Sequence, residues 1–268
     1  MSTQPAIKQF YMSKLLGKRV LVTAGAQGIG LAISRHFLKA GCDLFVHFHS
    51  SADAARALGD EAKALGRKFG SAAADLTVAG ECDRIVAEAV AALGGLDILV
   101  NNAGSMVGRR VFSEADDKFW HEVMSINFTA FRKVTRAAVP HLVAAAATGG
   151  GASIVNISSL AARRGGTIGA IAYATAKGAL LTLTRGLAVE LAPKGVRVNA
   201  VTPGFITGSK FQATFTTPEA ANKIVAGIPL GRAGGVDDVA RATVFLASEY
   251  DGFITAATLD INGGVHAY

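Results

Sequence analysis

The stretch that decides the fold is VLVTAGAQGIG, residues 20–30, in which an apolar run leads directly into closely spaced glycines. The apolar run has the length of a strand, and a helical pattern follows Gly30. Gly25, Gly28 and Gly30 let the backbone turn tightly and approach a ligand at the first turn of that helix. This order is typical of a loop that binds the pyrophosphate of a dinucleotide. The alternative is that the glycines only connect a strand to a helix.

The rest of the chain repeats this alternation of strand and helix. Further apolar runs of strand length are DLFVHF (43–48), DILVNN (97–102), SIVNIS (153–158) and VRVNAV (196–201). Such continuous apolar runs are typical of parallel strands that are buried on both faces, and the helical segments between them supply the crossovers. We therefore expect an α/β fold: one Rossmann-type, doubly wound parallel sheet with helices on both faces. Residues 18–268 form this single domain, and residues 1–17 are an N-terminal extension.

Composition and charge exclude several other classes of protein. The net charge is +7, but the basic residues are scattered and do not form the continuous face that a nucleic acid needs. No apolar run is long enough for a membrane span or a secretory signal, which predicts a cytoplasmic protein without a membrane partner. Cys42 and Cys82 are too few for a disulfide framework. His47 and His49 lie on one strand face without further ligands, so we expect no metal.

More motifs follow the glycine stretch in a fixed order. They are NNAG (101–104), SINFTA (125–130), the serine pair 158–159, YATAK (173–177), TPGFIT (202–207) and LDINGG (259–264). Together they resemble the classical short-chain dehydrogenase/reductase family, from about Lys18 to the end of the chain. The glycine pattern of that family, T-G-x-x-x-G-x-G, is similar to Thr23 through Gly30. Ala24 stands where the family has its first glycine, and Gly25 comes one position later.

The resemblance implies four catalytic residues: Asn127, Ser159, Tyr173 and Lys177. Tyr173 and Lys177 are four residues apart and therefore neighbours on one helix face. An ordinary phenol has a pKa of about 10, and a nearby cation favours its ionised form, which makes Tyr173 the candidate general acid/base. Ser159 would hydrogen-bond the substrate oxygen, and Asn127 would link Lys177 to solvent. As alternatives, each is an ordinary structural residue: a half-buried tyrosine, a solvated lysine, a turn serine and a satisfied helix asparagine.

The helix that carries this pair also has a predicted packing face. Apolar residues recur along it at steps of three and four: Ala176, Leu180, Leu183, Leu187 and Leu191. We expect this stripe to pack on the sheet, and the resemblance implies that the same helix meets a partner subunit in a homotetramer. Ser159 and Tyr173 are 14 positions apart, and we expect the loop between them to bulge.

The resemblance also implies which residues bind the cofactor. They are Thr23, Gly25, Gln27, Gly28, Ile29, Gly30, His49, Ser50, Ser51, Asp75, Leu76, Asn102, Ala103, Gly104, Tyr173, Lys177, Pro203, Gly204, Ile206 and Thr207. An acidic residue at the end of the second strand would bind the adenosine ribose and repel a 2′-phosphate, but Phe48 holds that position. The sequence therefore favours NADP(H), with NAD(H) as the alternative. For Asp75, a contact to adenine and a helix N-cap are equal alternatives.

These residues predict an oxidoreductase that transfers a hydride between a nicotinamide and a carbonyl or secondary alcohol. A narrower alternative is a reductase of 3-oxoacyl thioesters on an acyl carrier, which the basic surface would attract. A non-enzymatic alternative is a silent cofactor-binding sensor or scaffold. Sugar-derived ketones, oxoacyl thioesters, steroids and small cyclic ketones all stay open as substrates, because the fold is shared among many activities. Phe205, Phe211 and Phe215 predict either an apolar substrate pocket or the packing of a lid.

Overall fold

A parallel sheet of seven strands runs through the centre of the molecule. The computed structural model describes residues 15–208, 214–248 and 252–267. The strands are β1 (Arg19–Val22), β2 (Asp43–Phe48), β3 (Phe69–Ala73), β4 (Ile98–Asn101), β5 (Ala152–Ile157), β6 (Val196–Pro203) and, at one edge, β9 (Thr258–Ile261). Their order is β3-β2-β1-β4-β5-β6-β9, with every neighbouring pair parallel. A two-stranded ribbon of β7 (Ile206–Thr207) and β8 (Gly234–Gly235) lies beside it.

Helices connect the strands. They are α1 (Gly28–Lys39), α2 (Ala52–Ala64), α3 (Glu81–Leu93), α4 (Asp117–Met124), α5 (Ala130–Ala145), α6 (Ala161–Arg164), α7 (Ile171–Leu191), α8 (Pro218–Ala226) and α9 (Val236–Ala247). A π-helical turn, Ser125–Thr129, joins α4 to α5. No helix in the described part of the chain is both long and apolar enough to cross a membrane.

The sheet separates two apolar cores, and β1 contributes to both. Val20 and Val22 point into one core with Phe37 and Ile33 of α1, whereas Leu21 points into the other. The side chains of Val20, Leu21 and Val22 are all fully buried. Side chains alternate between the two faces of a strand, and both faces of β1 are covered by a core. This explains why residues 20–22 are all apolar. The expected doubly wound architecture is confirmed.

The strand order reverses at β1, where the chain moves from β3 on one side of the sheet to β4 on the other. The carboxyl ends of β1 and β4 lie next to each other there, and a crevice forms outside them. The glycine turn follows β1 and the NNAG segment follows β4. The fold thus brings two motifs that are about 80 residues apart in sequence to the same crevice.

Three local expectations are refined. The strand β3 was not predicted, because FGSAA has no apolar periodicity and is stabilised by pairing with β2. On α7, Leu183 and Leu187 are only half-buried; Thr184 and Ala188 are buried instead. The extra length between Ser159 and Tyr173 is taken up by the one-turn helix α6 and by two left-handed glycines that follow it. Residues 1–14 of the predicted extension and Phe211 lie outside the described residues.

Candidate active site

The turn after β1 is unusual because a non-glycine residue holds a left-handed backbone. Ala24 has φ +49° and Gly28 has φ +50°. Left-handed backbone costs an L-residue roughly 1–2 kcal/mol, so Ala24 needs neighbours that hold it there. Gly30 must be glycine, since a Cβ at this position would lie 2.1 Å from the Ala24 carbonyl oxygen and 2.6 Å from Asn102 Nδ2.

Thr23 ties this turn to the segment after β4. Its hydroxyl oxygen accepts hydrogen bonds from the backbone N–H groups of Asn102 (2.8 Å) and Ala103 (3.0 Å). In return the Asn102 amide donates to the carbonyl oxygens of Thr23 (3.1 Å) and Ala24 (3.2 Å). The two motifs therefore form one hydrogen-bonded unit, and α1 begins directly beside it with no acidic residue in its first turn.

The proposed catalytic pair lies where β5 meets α7. Lys177 Nζ donates to the carbonyl oxygen of Ile157 at the end of β5 (3.0 Å), and Ser158 Oγ donates to the Lys177 carbonyl oxygen (2.8 Å). Lys177 Nζ also lies 4.7 Å from the centre of the Phe131 ring and 5.8 Å from that of Tyr173. Tyr173 and Lys177 therefore lie on α7 beside the carboxyl end of β5.

Burial changes the acid–base properties of both groups. It raises the pKa of Tyr173 to about 12, against a smaller lowering by the hydrogen bond with Ser159. It lowers the pKa of Lys177 to about 7. The direction for Tyr173 is opposite to the one expected from a neighbouring cation, because burial disfavours the charged phenolate. A neutral phenol and a lysine that titrates near neutral pH therefore stand side by side.

Asn127 is fully buried in the π-helical turn between α4 and α5. Its amide nitrogen donates to the carbonyl oxygens of Ser105 (2.6 Å) and Val123 (2.9 Å), and its Oδ1 accepts from the Ser105 N–H (3.1 Å). A Cβ on Gly104 would lie 2.8 Å from Asn127 Oδ1 and 3.1 Å from Lys177 Nζ. Asn127 and Lys177 therefore face each other across Gly104. Interruptions of this kind in a helix are frequent at functional sites.

Two adjoining cavities occupy the crevice. The inner one, of about 180 Å³, reaches Ser159, Tyr173 and Lys177. The predicted cofactor residues that also line it are Gln27, Gly28, Ile29, Gly30, Asn102, Gly104, Pro203, Gly204 and Ile206. The outer cavity, of about 570 Å³, is lined by Gln27, His49, Ser51, Asp75, Leu76, Ala103 and Gly104 among others. The predicted residues Thr23, Gly25, Ser50, Asn127 and Thr207 line neither cavity.

Sequence reasoning missed several residues that line the outer cavity. His47, Val107, His121, Glu122, Ser125 and Ile126 contribute to its wall. The last four come from α4 and the π-helical turn, and no local motif marks them as neighbours of the glycine turn. His47 carries a signal in hindsight, since it is a polar residue inside an otherwise apolar strand.

At the end of β2, in the region expected to distinguish NADP(H) from NAD(H), a side-chain hydrogen bond joins Ser51 to the glycine turn. Phe48 is the last residue of β2, as expected, and Ser51 Oγ donates to Gln27 Oε1 at 3.2 Å. Asp75 Oδ1 accepts hydrogen bonds from the backbone and hydroxyl of Thr77, at 2.9 and 2.6 Å. The N-cap alternative for Asp75 is wrong, because Gly80 caps α3.

Three arginines in the segments that follow β4 and β5 contact other side chains. Arg163 pairs with Asp260 (3.2 Å) and Arg110 with Asp116 (3.3 Å). Arg109 donates to the Thr167 hydroxyl at 2.9 Å. Among the described residues there is also no cluster of three or more side chains able to hold a metal ion.

Comparison with known proteins agrees with this geometry. A family model described as enoyl-(acyl carrier protein) reductase matches residues 23–266. Nodulation protein G of Azospirillum brasilense is 35% identical over 249 residues, which cover 93% of this chain and 98% of the relative. The 3-oxoacyl-[acyl-carrier-protein] reductase FabG of Chlamydia pneumoniae is 34% identical over 251 residues, 94% of this chain and 98% of the relative.

The chain belongs to the short-chain dehydrogenase/reductase family. The solved structure of the NADH-dependent reductase A1-R′ of alginate metabolism superimposes with a TM-score of 0.87 at 34% identity, covering 96% of this chain and all of that one. That reductase has also been solved with NAD. A short-chain dehydrogenase from Burkholderia cenocepacia in complex with NADP gives a TM-score of 0.86 at 32% identity, covering 95% of this chain and all of that one. The protein is thus an oxidoreductase of carbonyl or alcohol groups.

Proposed function

We propose that this short-chain dehydrogenase/reductase reduces a ketone to a secondary alcohol, reversibly, with Tyr173 as general acid/base. The observation that carries the proposal is the inner cavity, which brings Ser159, Tyr173 and Lys177 onto the same space as the glycine turn. The N-terminus of α1 and the close backbone approach at Gly30 suit the diphosphate of a dinucleotide. A bound nicotinamide supplies the hydride in reduction and accepts it in oxidation.

Tyr173 and Ser159 act on the substrate oxygen. In reduction the Tyr173 phenol, which is neutral at physiological pH, donates its proton to the oxygen as negative charge develops there. With substrate bound, the single hydroxyl hydrogen of Ser159 is donated to the same oxygen instead of to Tyr173, and it stabilises that charge. Donors fixed by the fold need no reorganisation during the reaction.

Lys177 replaces the proton that Tyr173 gives away. A pKa of about 7 makes its ammonium a ready donor near neutral pH, and the Ile157 carbonyl oxygen fixes its position. Asn127, which faces Lys177 across Gly104, holds the Ser105 backbone against the pair and completes the path toward solvent.

We further propose that the preferred cofactor is NADP(H). No carboxylate occupies the end of β2, and Asp75 is engaged with Thr77. The contact from Ser51 to Gln27 Oε1 leaves the Gln27 amide N–H groups available to a phosphate oxygen. His49 and Ser50 offer further donors at the same edge, whereas the Ser51 hydroxyl is donated to Gln27. The remaining predicted cofactor contacts are part of this proposal. They include contacts of Ile206 and Thr207 with the carboxamide group of the nicotinamide.

The rate of ketone reduction is expected to fall as pH rises through about 7. Lys177 loses its charge there, whereas Tyr173 stays protonated up to about pH 12, so the loss is assigned to the lysine. The measurement is kcat for ketone reduction by NADPH between pH 6 and 9. In Lys177→Arg the side chain stays charged at every pH in this range. The residual kcat of that variant should therefore no longer fall as the pH rises through about 7. A decline that is unchanged in Lys177→Arg would contradict the role of Lys177.

A second candidate function is the reduction of 3-oxoacyl thioesters on an acyl carrier. The family model and the 34% identical FabG relative favour it, as does the net charge of +7, which would attract an acidic carrier. This candidate predicts oxidation of NADPH by a 3-oxoacyl carrier thioester and none by a matched free ketone.

We also propose a cytoplasmic homotetramer. The buried thiols of Cys42 and Cys82 form no disulfide, which suits a reducing compartment. Val189 on α7 is 76% exposed, and it offers apolar surface to a partner subunit.

A further inference from the structure

His47 is a buried histidine that the proposed reaction does not use. Only 3% of it is exposed, and it lies in β2 behind the glycine turn. Its Nδ1 lies 3.1 Å from the backbone nitrogen of Ala24, and its Nε2 lies 3.0 Å from the carbonyl oxygen of Ala74. The imidazole therefore bridges the turn after β1 and the wall of the outer cavity after β3.

The two partners fix the protonation of the ring. The Ala74 carbonyl can only accept, so Nε2 carries the proton and donates it. The Ala24 N–H can only donate, so Nδ1 must present its lone pair. A doubly protonated ring would place two donors against each other at Ala24. Only the neutral Nε2–H tautomer satisfies both contacts.

Ala24 is the residue that most needs such a contact. Its left-handed backbone is unfavourable for a residue with a Cβ. Its carbonyl oxygen is held by Asn102 from one side, and His47 holds its N–H from the other. The Gly25 N–H in turn donates to the His47 carbonyl oxygen at 2.9 Å. His47 thus touches the turn through both its side chain and its backbone.

We propose that His47 is a positioning residue for the dinucleotide: its neutral imidazole holds the Ala24 turn and the Ala74–Leu76 wall in the geometry that binds the adenosine diphosphate half. This inference rests on the proposed function of the crevice as a dinucleotide site. It adds that cofactor affinity depends on the protonation of a residue outside the reacting centre.

The sign of the pH dependence follows from burial. Burial lowers the pKa of His47 below its ordinary value near 6.5, so the ring is neutral at pH 7.5 and becomes charged only in more acidic solution. The charged groups facing it are His49 and Arg84, which favour the neutral ring, and Asp75, which opposes them. Glu81 is near enough to feel its charge. A positive charge at His49 can only strengthen the binding of an anion, so His49 does not explain a loss of affinity in acid.

The test uses ADP-ribose, which contains the adenosine diphosphate half of the cofactor and lacks the nicotinamide ring. Its binding therefore does not depend on the nicotinamide end of the site. Its dissociation constant is measured by calorimetry at pH 7.5 and 5.0 for wild type, His47→Leu and His47→Asn. Leucine removes both contacts and should weaken binding about tenfold at pH 7.5. Asparagine can still accept from the Ala24 N–H through Oδ1 and should bind within about threefold of wild type, without titrating. On acidification, wild type should lose affinity relative to His47→Asn.

The outcomes separate this inference from the proposed function. Failure of wild type to bind either ADP-ribose or NADPH at pH 7.5 would overturn the dinucleotide site itself. Binding by wild type and equally tight binding by His47→Leu would overturn only the role of His47, as would an Asn variant that is as weak as the Leu variant. The control variant is His141→Leu, which removes the imidazole of a half-buried histidine on α5. It should bind ADP-ribose as wild type does.

Discussion

Replacing Tyr173 by phenylalanine is expected to lower kcat for ketone reduction by about 10²–10⁴-fold, the usual contribution of a general acid/base. The hydroxyl is removed, whereas the ring is kept, which packs against the apolar cluster of Phe119, Val123, Ala172 and Ala176. Binding of the dinucleotide should therefore change little. The measurement is kcat with a ketone that turns over, together with a fluorescence titration of the variant with NADPH.

The matched control for Tyr173→Phe is Thr175→Ala, which removes a hydroxyl from an exposed position two residues further along α7. It should leave kcat unchanged. Turnover by Tyr173→Phe that stays within a few-fold of wild type would show that another group supplies the proton, and the proposed role of Tyr173 would be wrong.

The second large effect is expected at Gly30. In Gly30→Ala the new Cβ would lie 2.1 Å from the Ala24 carbonyl oxygen. The obstacle is backbone, so the turn or the start of α1 must move. Displacement of about 1 Å at a binding site can cost about 10²-fold in function, and overpacking costs about 1–3 kcal/mol in the free energy of unfolding. The two readouts are the dissociation constant for NADPH and the denaturant midpoint.

Gly186→Ala is the control for Gly30→Ala. Gly186 also lies in a helix, but a Cβ there meets nothing within 4 Å. That variant should be more stable than wild type by about 0.5–1 kcal/mol, because alanine favours a helix interior. It should bind the dinucleotide normally. Normal NADPH affinity in Gly30→Ala would mean that the cofactor does not use the glycine turn.

Much of the fold was predictable because its signals are local. The apolar runs of β2, β4, β5 and β6 reflect burial on both faces, and each became a strand within a residue or two. The spacing from Tyr173 to Lys177 is likewise a property of one helix. By contrast, β3 depends on its pairing with β2, and FGSAA alone gives no sign of it.

The parts of the site that escaped prediction depend on contacts between distant segments. In the sequence, Ala24 is only a departure from the glycine pattern of the family. Its hydrogen bond with His47, 23 residues later, is visible only in the structure. The lowered pKa of Lys177 results from burial, which a helix pattern does not report. The contact between Gln27 and Ser51 spans 24 residues, so the sequence could not join the two sides of the specificity region.

We propose that the crevice at β1 and β4 binds a nicotinamide dinucleotide, with NADP(H) preferred. The most direct measurement is titration of the purified wild type and of Phe48→Asp with NADPH and NADH, followed by nicotinamide fluorescence. We predict tighter binding of NADPH by wild type, and a shift toward NADH in Phe48→Asp, because a carboxylate there repels the 2′-phosphate and accepts from the ribose hydroxyls. Tighter binding of NADH by wild type would overturn the cofactor preference, and binding of neither nucleotide would contradict the account as a whole.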